Sequence, residues 1–274
     1  LSEEEIKRLI KTPDDELLKK FPSYTRSYLR QLKKSPAKIL LLDIETSQMI
    51  TKVWQLRGNE YIEPSRIIDD WFMLCWSAKW LFDKHIFSDR LTSEEAKAKD
   101  DKRIAQSIWR LLDEADIVVA HNGDSFDIKK LNTRFLKYRL PHPNYYRSID
   151  TLKIVKKEFR ISSNKLDYVC KFLGLDTKIN TGGIDLWDSC EKGDEQALKK
   201  ISRYCDNDVK ILEELYLYLR PYIRNHPNLE LYVDGNACPN CGSLNLEEAG
   251  LYRTQKQTYT SYRCECGSLC YKRI

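Results

Sequence analysis

The spacing of apolar positions changes along this chain, and each change marks a different kind of element. From Ala37 the stretch KILLLDIE is continuously apolar and ends in carboxylates, the pattern of a strand buried on both faces whose end meets a site. WFMLCWSAKWL and DIVVA read in the same way, the first with a turn back through Phe82 to Phe87, and ITKVWQL is a further strand candidate. Helical spacing appears over Asp101 to Glu114, from Ser125 onward, through KIVKKEF and through SSNKLDYVCKFLGL, where Ser162 or Ser163 is the expected cap and Gly174 the end. A loop is expected from Asp176 to Cys190, then a long helix from Asp194 to Leu219 that Pro221 stops.

Before Ala37 the apolar residues fall into short helical pieces: EEEIKRLI capped by Ser2, DDELLKKF opened by Pro13 and Asp14, and RSYLRQLKK opened by Thr25 or Ser23. Strands first, then alternating strand and helix, predict an α/β fold with a mixed sheet and helices on its faces. Three units follow: a helical arm over 1–35, the α/β domain over 36–224, and a cysteine-rich tail over 225–274.

Composition narrows the class. A length of 274 residues suits one domain with a sizeable core plus small appendages, and 42% hydrophobic with 32% charged residues is ordinary for a soluble globular protein. No apolar run approaches a membrane span, and LSEEEIKRLIK lacks the character of a signal peptide, so a cytoplasmic protein without a membrane partner is expected, with a monomer favoured. The net charge of +5 favours a polyanionic partner only weakly by itself.

The candidate chemistry sits where buried strands end. Asp43 and Glu45 are two residues apart on LLDIET, so the strand period places both carboxylates on one face, where they repel unless a cation lies between them. An Asp-x-Glu triplet is common and usually marks a surface pair, but here it follows ILLL, which argues against an exposed strand. IVVAHNGDSFDIKKL passes from a buried strand through a turn into a helix whose first turns hold Asp127, while Asp124 reads as a turn or cap residue. In RYCDNDVKIL, Tyr204 and Asp208 are four apart on one helical face, and Asp206 is expected to point away into solvent.

In this order, DIE, HNGDSFD and YCDND resemble the motifs of the DEDD exonuclease superfamily of the ribonuclease H-like fold, most closely the branch with tyrosine in the third motif, which includes the proofreading domains of family B DNA polymerases. IDTLK and SNKLDYVCKFLGL add to a resemblance that spans roughly Lys38 to Leu219; the histidine branch would need a histidine where Arg203 stands. The resemblance implies a 3′-to-5′ exonuclease with two Mg²⁺ or Mn²⁺ ions. Asp43 would bridge them, Glu45 and Asp208 would hold the ion that binds the attacking water, Asp127 the second ion, and Tyr204 would align that water. It also implies that Asn122 and Phe126 shape the site, Phe126 as packing more than as a stacking platform.

The tail carries a separate signal. Cys238 and Cys241, followed by Gly242, form a Cys-x-x-Cys knuckle of the zinc-ribbon kind, and the irregular partner is expected to use Cys264 and Cys266, with Cys270 as the alternative ligand. Four thiolates leave no open position, so the Zn²⁺ would be structural.

The implied partner is nucleic acid, DNA favoured over RNA and single-stranded 3′ ends favoured. Arg26 and Arg30 on the arm's last helix, with Lys33, Lys34, Tyr24 and Tyr28, would suit a helix laid on DNA or, equally, a basic helix packed on the main domain. Arg253, Lys256 and Arg263 among the tail's tyrosines would grip phosphates and bases, against a purely stabilising knob. Two rival readings stay open: an RNA-trimming exoribonuclease on the same scaffold, and a non-catalytic DNA-binding adaptor. A bacterial repair system or a phage would be a natural setting.

Overall fold

The structure is a computed structural model that describes residues 11–21, 23–55, 61–177, 179 and 182–274. The helix expected over EEEIKRLI and its Ser2 cap lie outside the described residues. Strands are β1 (Ile39–Thr46), β2 (Ile50–Thr51), β3 (Ile67–Asp69), β4 (Met73–Trp80), β5 (Phe87–Arg90), β6 (Ile117–Ala120), β7 (Arg147–Asp150), β8 (Leu246–Arg253), β9 (Thr258–Cys264) and β10 (Leu269–Arg273). Helices are α1 (Asp14–Lys20), α2 (Arg26–Leu32), α3 (Ser93–Ala98), α4 (Lys102–Glu114), α5 (Asp127–Lys137), α6 (Thr151–Glu158), α7 (Leu166–Leu173), α8 (Asp185–Glu191) and α9 (Glu195–Leu219).

The central sheet is mixed, as expected, in the order β5-β4-β1-β6-β7. β1 runs antiparallel to β4 over Leu40–Thr46 and parallel to β6 over Ile39–Leu41, so the middle of its apolar run is paired on both edges. Its faces divide by the strand period. Leu40, Leu42 and Ile44 enter the core that holds Ile104, Ile108 and Leu112 of α4 with Leu131 and Phe135 of α5. Ile39 and Leu41 meet Val209, Leu212 and Tyr216 of α9. Each fully buried leucine of this set contributes about 1.5–3 kcal/mol of transfer free energy.

Several local expectations change. ITKVWQL yields only Ile50–Thr51, paired with β3 in a separate two-stranded ribbon, because Val53 and Trp54 face solvent and have no sheet to cover. The loop expected before Cys190 contains α8, which buries Leu186 and Cys190 one turn apart; the two preceding glycines masked its short periodicity. Neither Ser162 nor Ser163 caps α7, which starts from Lys165 without a side-chain cap, although Gly174 closes it in the left-handed conformation as expected. α9 ends at Leu219, and its chain tightens into a single 3₁₀ turn over Arg220–Tyr222 that contains Pro221. Among the described residues no helix is long and apolar enough to cross a membrane.

The arm is fastened to the sheet through its cations. Arg30 is buried and donates from Nε to Asp116 Oδ2 at 2.7 Å, and its guanidinium also reaches the Glu114 carbonyl. The same Asp116 oxygen accepts the Lys38 amide at 2.6 Å, at the entrance to β1. Arg26 pairs with Asp15 at 2.8 Å and lies 3.6 Å from Asp113, while Lys33 reaches Asp14 at 2.6 Å. Of the two settings open to the basic helix, this is the one packed on the body: Arg30 faces inward and is not presented to DNA. Breaking a buried pair strands one charge, so Arg30→Leu should cost about 3–5 kcal/mol, and adding Asp116→Leu should recover most of it. Urea denaturation of the two variants measures this; equal losses would show that the pair does not fasten the arm.

Candidate active site and thiol cluster

Asp43 and Glu45 leave the same face of β1, and Asp208 meets them from α9; each offers a carboxylate oxygen, and these oxygens lie within 4.8 Å of one another. β1 is buried on both sides up to this point, so its geometry is fixed by the core. At Glu45 the pairing with β4 slips: Glu45 faces Cys75 but Thr46 faces Met73, a bulge that ends the regular ladder at the site. Asp208 is 1% exposed.

Asp127 is the first residue of α5, and its Oδ1 accepts the amide of Ile44 at 3.1 Å, between the two β1 carboxylates. It is buried beside the cluster but outside the set of three close oxygens. The turn that delivers it needs Gly123, where a Cβ would come within 2.4 Å of Ala120 Cβ. α5 is held in turn by Asp101, which accepts from Arg134, from the Tyr138 hydroxyl and, at 2.7 Å, from the amide of Met73.

Tyr204 packs edge-on against Trp187, ring centroids 6.2 Å apart, and shares with Asp43 a cleft of about 570 Å³ whose wall includes His121, Asn122, Lys156, Asn164 and Lys165. Asn122 takes a left-handed conformation (φ 70°), and its amide donates to Asp150 Oδ1 at 2.9 Å. His121 is fixed between Thr151 Oγ1 and the Asn164 carbonyl, each at 2.9 Å. Phe126 packs against the core with Lys130 4.9 Å from its ring, which is the packing role expected of it.

Three features of the site were not anticipated. Trp187 of α8 donates from Nε1 to Glu45 Oε2 at 3.2 Å. Asp206 is half-buried and has a partner besides solvent: Ser77, opposite Asp43 on β4, donates to it at 2.6 Å. Buried Cys205 donates its thiol proton to Asp43 Oδ2 at 3.2 Å. That thiol stays protonated because burial first, then its hydrogen bond with Cys75 and the charge of Asp43, push it well above the ordinary range. For Cys75 the same hydrogen bond works downward, but burial and the charges of Glu45, Asp43 and Asp206 prevail and raise it. Cys205 stands between Tyr204 and Asp208 in the third motif, but a cysteine on a helix carries no sequence mark that distinguishes a carboxylate donor from packing.

In the tail, Cys238, Cys241, Cys264 and Cys266 come within 4.8 Å of one another, with Sγ separations of 3.4 Å for Cys241 to Cys264 and 3.9 Å for Cys238 to Cys266. A tetrahedron of thiolates at ~2.3 Å from a zinc ion has edges of about 3.8 Å, so the set fits that ion. Both knuckles close alike, the Gly242 amide on Cys238 O at 2.8 Å and the Gly267 amide on Cys264 O at 2.9 Å. Cys270 lies 3.5 Å from Cys238, and burial pushes it up to about 12. Burial also works against ionisation of Cys266, but the Ser268 hydroxyl and amide and the neighbouring thiols outweigh it and bring it down to about 7. Arg253, Lys256 and Arg263 are exposed on the ribbon, and Tyr252 and Tyr271 pack with centroids 4.7 Å apart on its surface.

The sequence model of a family described as the RNase_H superfamily matches residues 80–220, just over half the chain. That stretch contains Asp127, Tyr204 and Asp208; β1 precedes it. The DNA polymerase III PolC-type of Ureaplasma parvum is 27% identical over 171 residues, covering 60% of this chain and 12% of the polymerase. The family B DNA polymerase of the hyperthermophilic archaeon Pyrobaculum calidifontis superposes with a TM-score of 0.50 at 20% identity, over 69% of this chain and 25% of that one, a likeness of fold. The chain thus spans only a fraction of the length of either polymerase.

The thiol behind Asp43 leads to a prediction. Cys205 fixes the orientation in which Asp43 meets Glu45 and Asp208, and partners that orient a metal ligand commonly alter its affinity by about 10- to 100-fold, so Cys205→Ala should weaken Mn²⁺ binding at the carboxylates by roughly tenfold or more, while Cys205→Ser, which keeps a donor, should bind nearly as the parent does. Calorimetric Mn²⁺ titration decides, and equal affinities in the serine and alanine variants would reduce Cys205 to packing.

Proposed function

The chain belongs to the RNase H superfamily, and on that premise we propose that it is a metal-dependent 3′-to-5′ exonuclease that hydrolyses terminal phosphodiester bonds of DNA and releases nucleoside 5′-monophosphates. The observation that carries this reading is the meeting of Asp43 and Glu45 from β1 with Asp208 from α9, beside a cleft that Tyr204 shares with Asp43.

Asp43, Glu45 and Asp208 would hold the divalent ions, with Asp127 completing the donor set; hard carboxylate oxygens suit Mg²⁺ or Mn²⁺. Such ions, when bound, lower the pKa of a water and offset charge that builds on the phosphodiester oxygens. The remaining work falls to the chain. Tyr204 orients the attacking water through its hydroxyl, Lys156 and Lys165 attract the phosphate into the cleft, and Asn122 borders the space for the terminal nucleotide. The cysteine ribbon would hold one structural Zn²⁺ through Cys238, Cys241, Cys264 and Cys266.

Polymerases among the similar proteins support DNA as the substrate, and an open cleft supports a single-stranded 3′ end. The arm no longer contributes to that preference, since Arg30 is buried against Asp116 of the body and Lys33 pairs with Asp14 within the arm. On 5′-labelled single-stranded DNA and RNA, Mg²⁺ or Mn²⁺ should produce a ladder of 3′-shortened DNA that EDTA abolishes. Faster shortening of RNA would move the substrate to RNA; binding without any shortening would make the chain an adaptor.

Asp43→Ala should abolish hydrolysis and leave metal-free thermal stability unchanged or higher, because it removes a ligand and a like-charge repulsion together. Tyr204→Phe keeps every carboxylate and should slow turnover by roughly a hundredfold with near-normal metal dependence. Full activity in Asp43→Ala, or loss of metal binding in Tyr204→Phe, would sink the respective assignments.

The ribbon's exposed cations would grip the strand. Replacing Arg253, Lys256 and Arg263 together by alanine should raise the Michaelis constant, leave saturated turnover unchanged and flatten the logarithmic salt slope by about 2, since each lost phosphate contact on a single strand removes ~0.7. An unaltered slope would leave the ribbon as a stabilising knob.

A further inference from the structure

Arg220 sits in the turn that ends α9, only 9% exposed, and its Nε has no hydrogen-bond partner. Among the described residues no carboxylate forms an ion pair with it. A guanidinium remains charged at any working pH, and a buried charge without an opposite charge is strongly unfavourable. Its immediate neighbours are neutral. Tyr216 lies with its ring centroid 5.9 Å from the guanidinium and donates a hydrogen bond from its hydroxyl to His226 Nε2 at 2.7 Å, while His226 Nδ1 donates to the Pro227 carbonyl at 2.8 Å. Burial holds that imidazole uncharged by pushing it down to about 4.

The missing negative charge has a place on the same wall. Arg220 lines a cavity of about 640 Å³ between body and ribbon together with Cys241 and Gly242. Its carbonyl accepts from Asn240 Nδ2, inside the first knuckle, at 3.1 Å. Pro221 lies under the second knuckle, so close that a Cβ on Gly267 would come within 3.2 Å of its ring. Tyr216 senses both charges: burial raises its hydroxyl, Arg220 pulls it down, and Cys241 and Cys266 push it up. Four thiolates around one divalent ion carry about two negative charges in excess. The nearby ammonium of Lys272 is already taken by Glu230.

We infer that Arg220 is the counter-charge of the ribbon's metal–thiolate centre, so that zinc occupancy and the docking of the ribbon on the end of α9 form one coupled equilibrium. This rests on the zinc reading proposed above. The pairing gives the guanidinium its opposite charge only when the centre is loaded, and it gives the centre a cation from outside the ribbon. Neighbours that tune a metal site in this way commonly alter its affinity by about 10- to 100-fold.

The test uses the full chain with Arg220→Met, close in length but uncharged, and Arg220→Lys, which keeps the charge. Competition with a zinc chelator should show Arg220→Met weakened about tenfold or more and Arg220→Lys much less affected. Thermal denaturation should then invert: with zinc, Arg220→Met melts below the parent, and after chelation it melts level with the parent or above it, because the stranded charge is gone. Unchanged zinc affinity, or an equal drop in melting temperature with and without zinc, would overturn the inference. A parent chain that binds no stoichiometric zinc would overturn the zinc reading itself, and that result is visible before any variant is compared.

Discussion

Three carboxylates with oxygens inside 4.8 Å are held together against their own repulsion, and much of the fold can be understood as the frame that holds them. Two unit charges at 4 Å repel by about 4 kcal/mol at an effective dielectric of 20, more than a flexible segment would tolerate. The frame is rigid because β1 is paired with β4 through the carboxylates and with β6 just before them, and its apolar run is buried on both faces, while α9 lies across the same sheet with Val209 and Leu212 in its core. Donors then offset part of the strain: Cys205 to Asp43, Trp187 to Glu45, and the Ile44 amide to Asp127. The remainder is a strong reason for cations to enter.

The parts of this frame set by local periodicity were legible in the sequence. A strand period of two is enough to put Asp43 and Glu45 on one face, and a helical separation of four is enough to align Tyr204 with Asp208, whatever packs around them. The glycine after each cysteine knuckle likewise marked which thiols would converge, because the turn geometry is local.

What was not legible depends on partners distant in the chain. Asp206 reads as solvated on a helical wheel, but Ser77, 129 positions earlier, holds it. Arg30 belongs to a basic surface pattern until Asp116 is brought beneath it, where burial converts a candidate DNA contact into a structural ion pair. Trp187 fell in a stretch read as loop because α8 is only seven residues long, too short for its periodicity to stand out from the flanking glycines.

α9 joins the two chemically distinct centres. It carries Tyr204 and Asp208 along its length and turns at Arg220 under the thiol cluster, about 18 Å beyond Asp208 by helical rise. The tail is not a loosely tethered appendage: Leu229 and Tyr232 lie in the core with Ile39 and Leu41, Tyr232 meets Ser27 of the arm at 2.6 Å, and the Leu229 amide reaches Pro239 O at 2.8 Å. A helix of 25 residues buried along twelve positions transmits displacement as a rigid rod and has little freedom to bend between its ends. When docked on α9, the ribbon therefore takes its position relative to the carboxylates from the same core that sets them, and a strand held on its outer face would then meet the cleft at a fixed distance and angle.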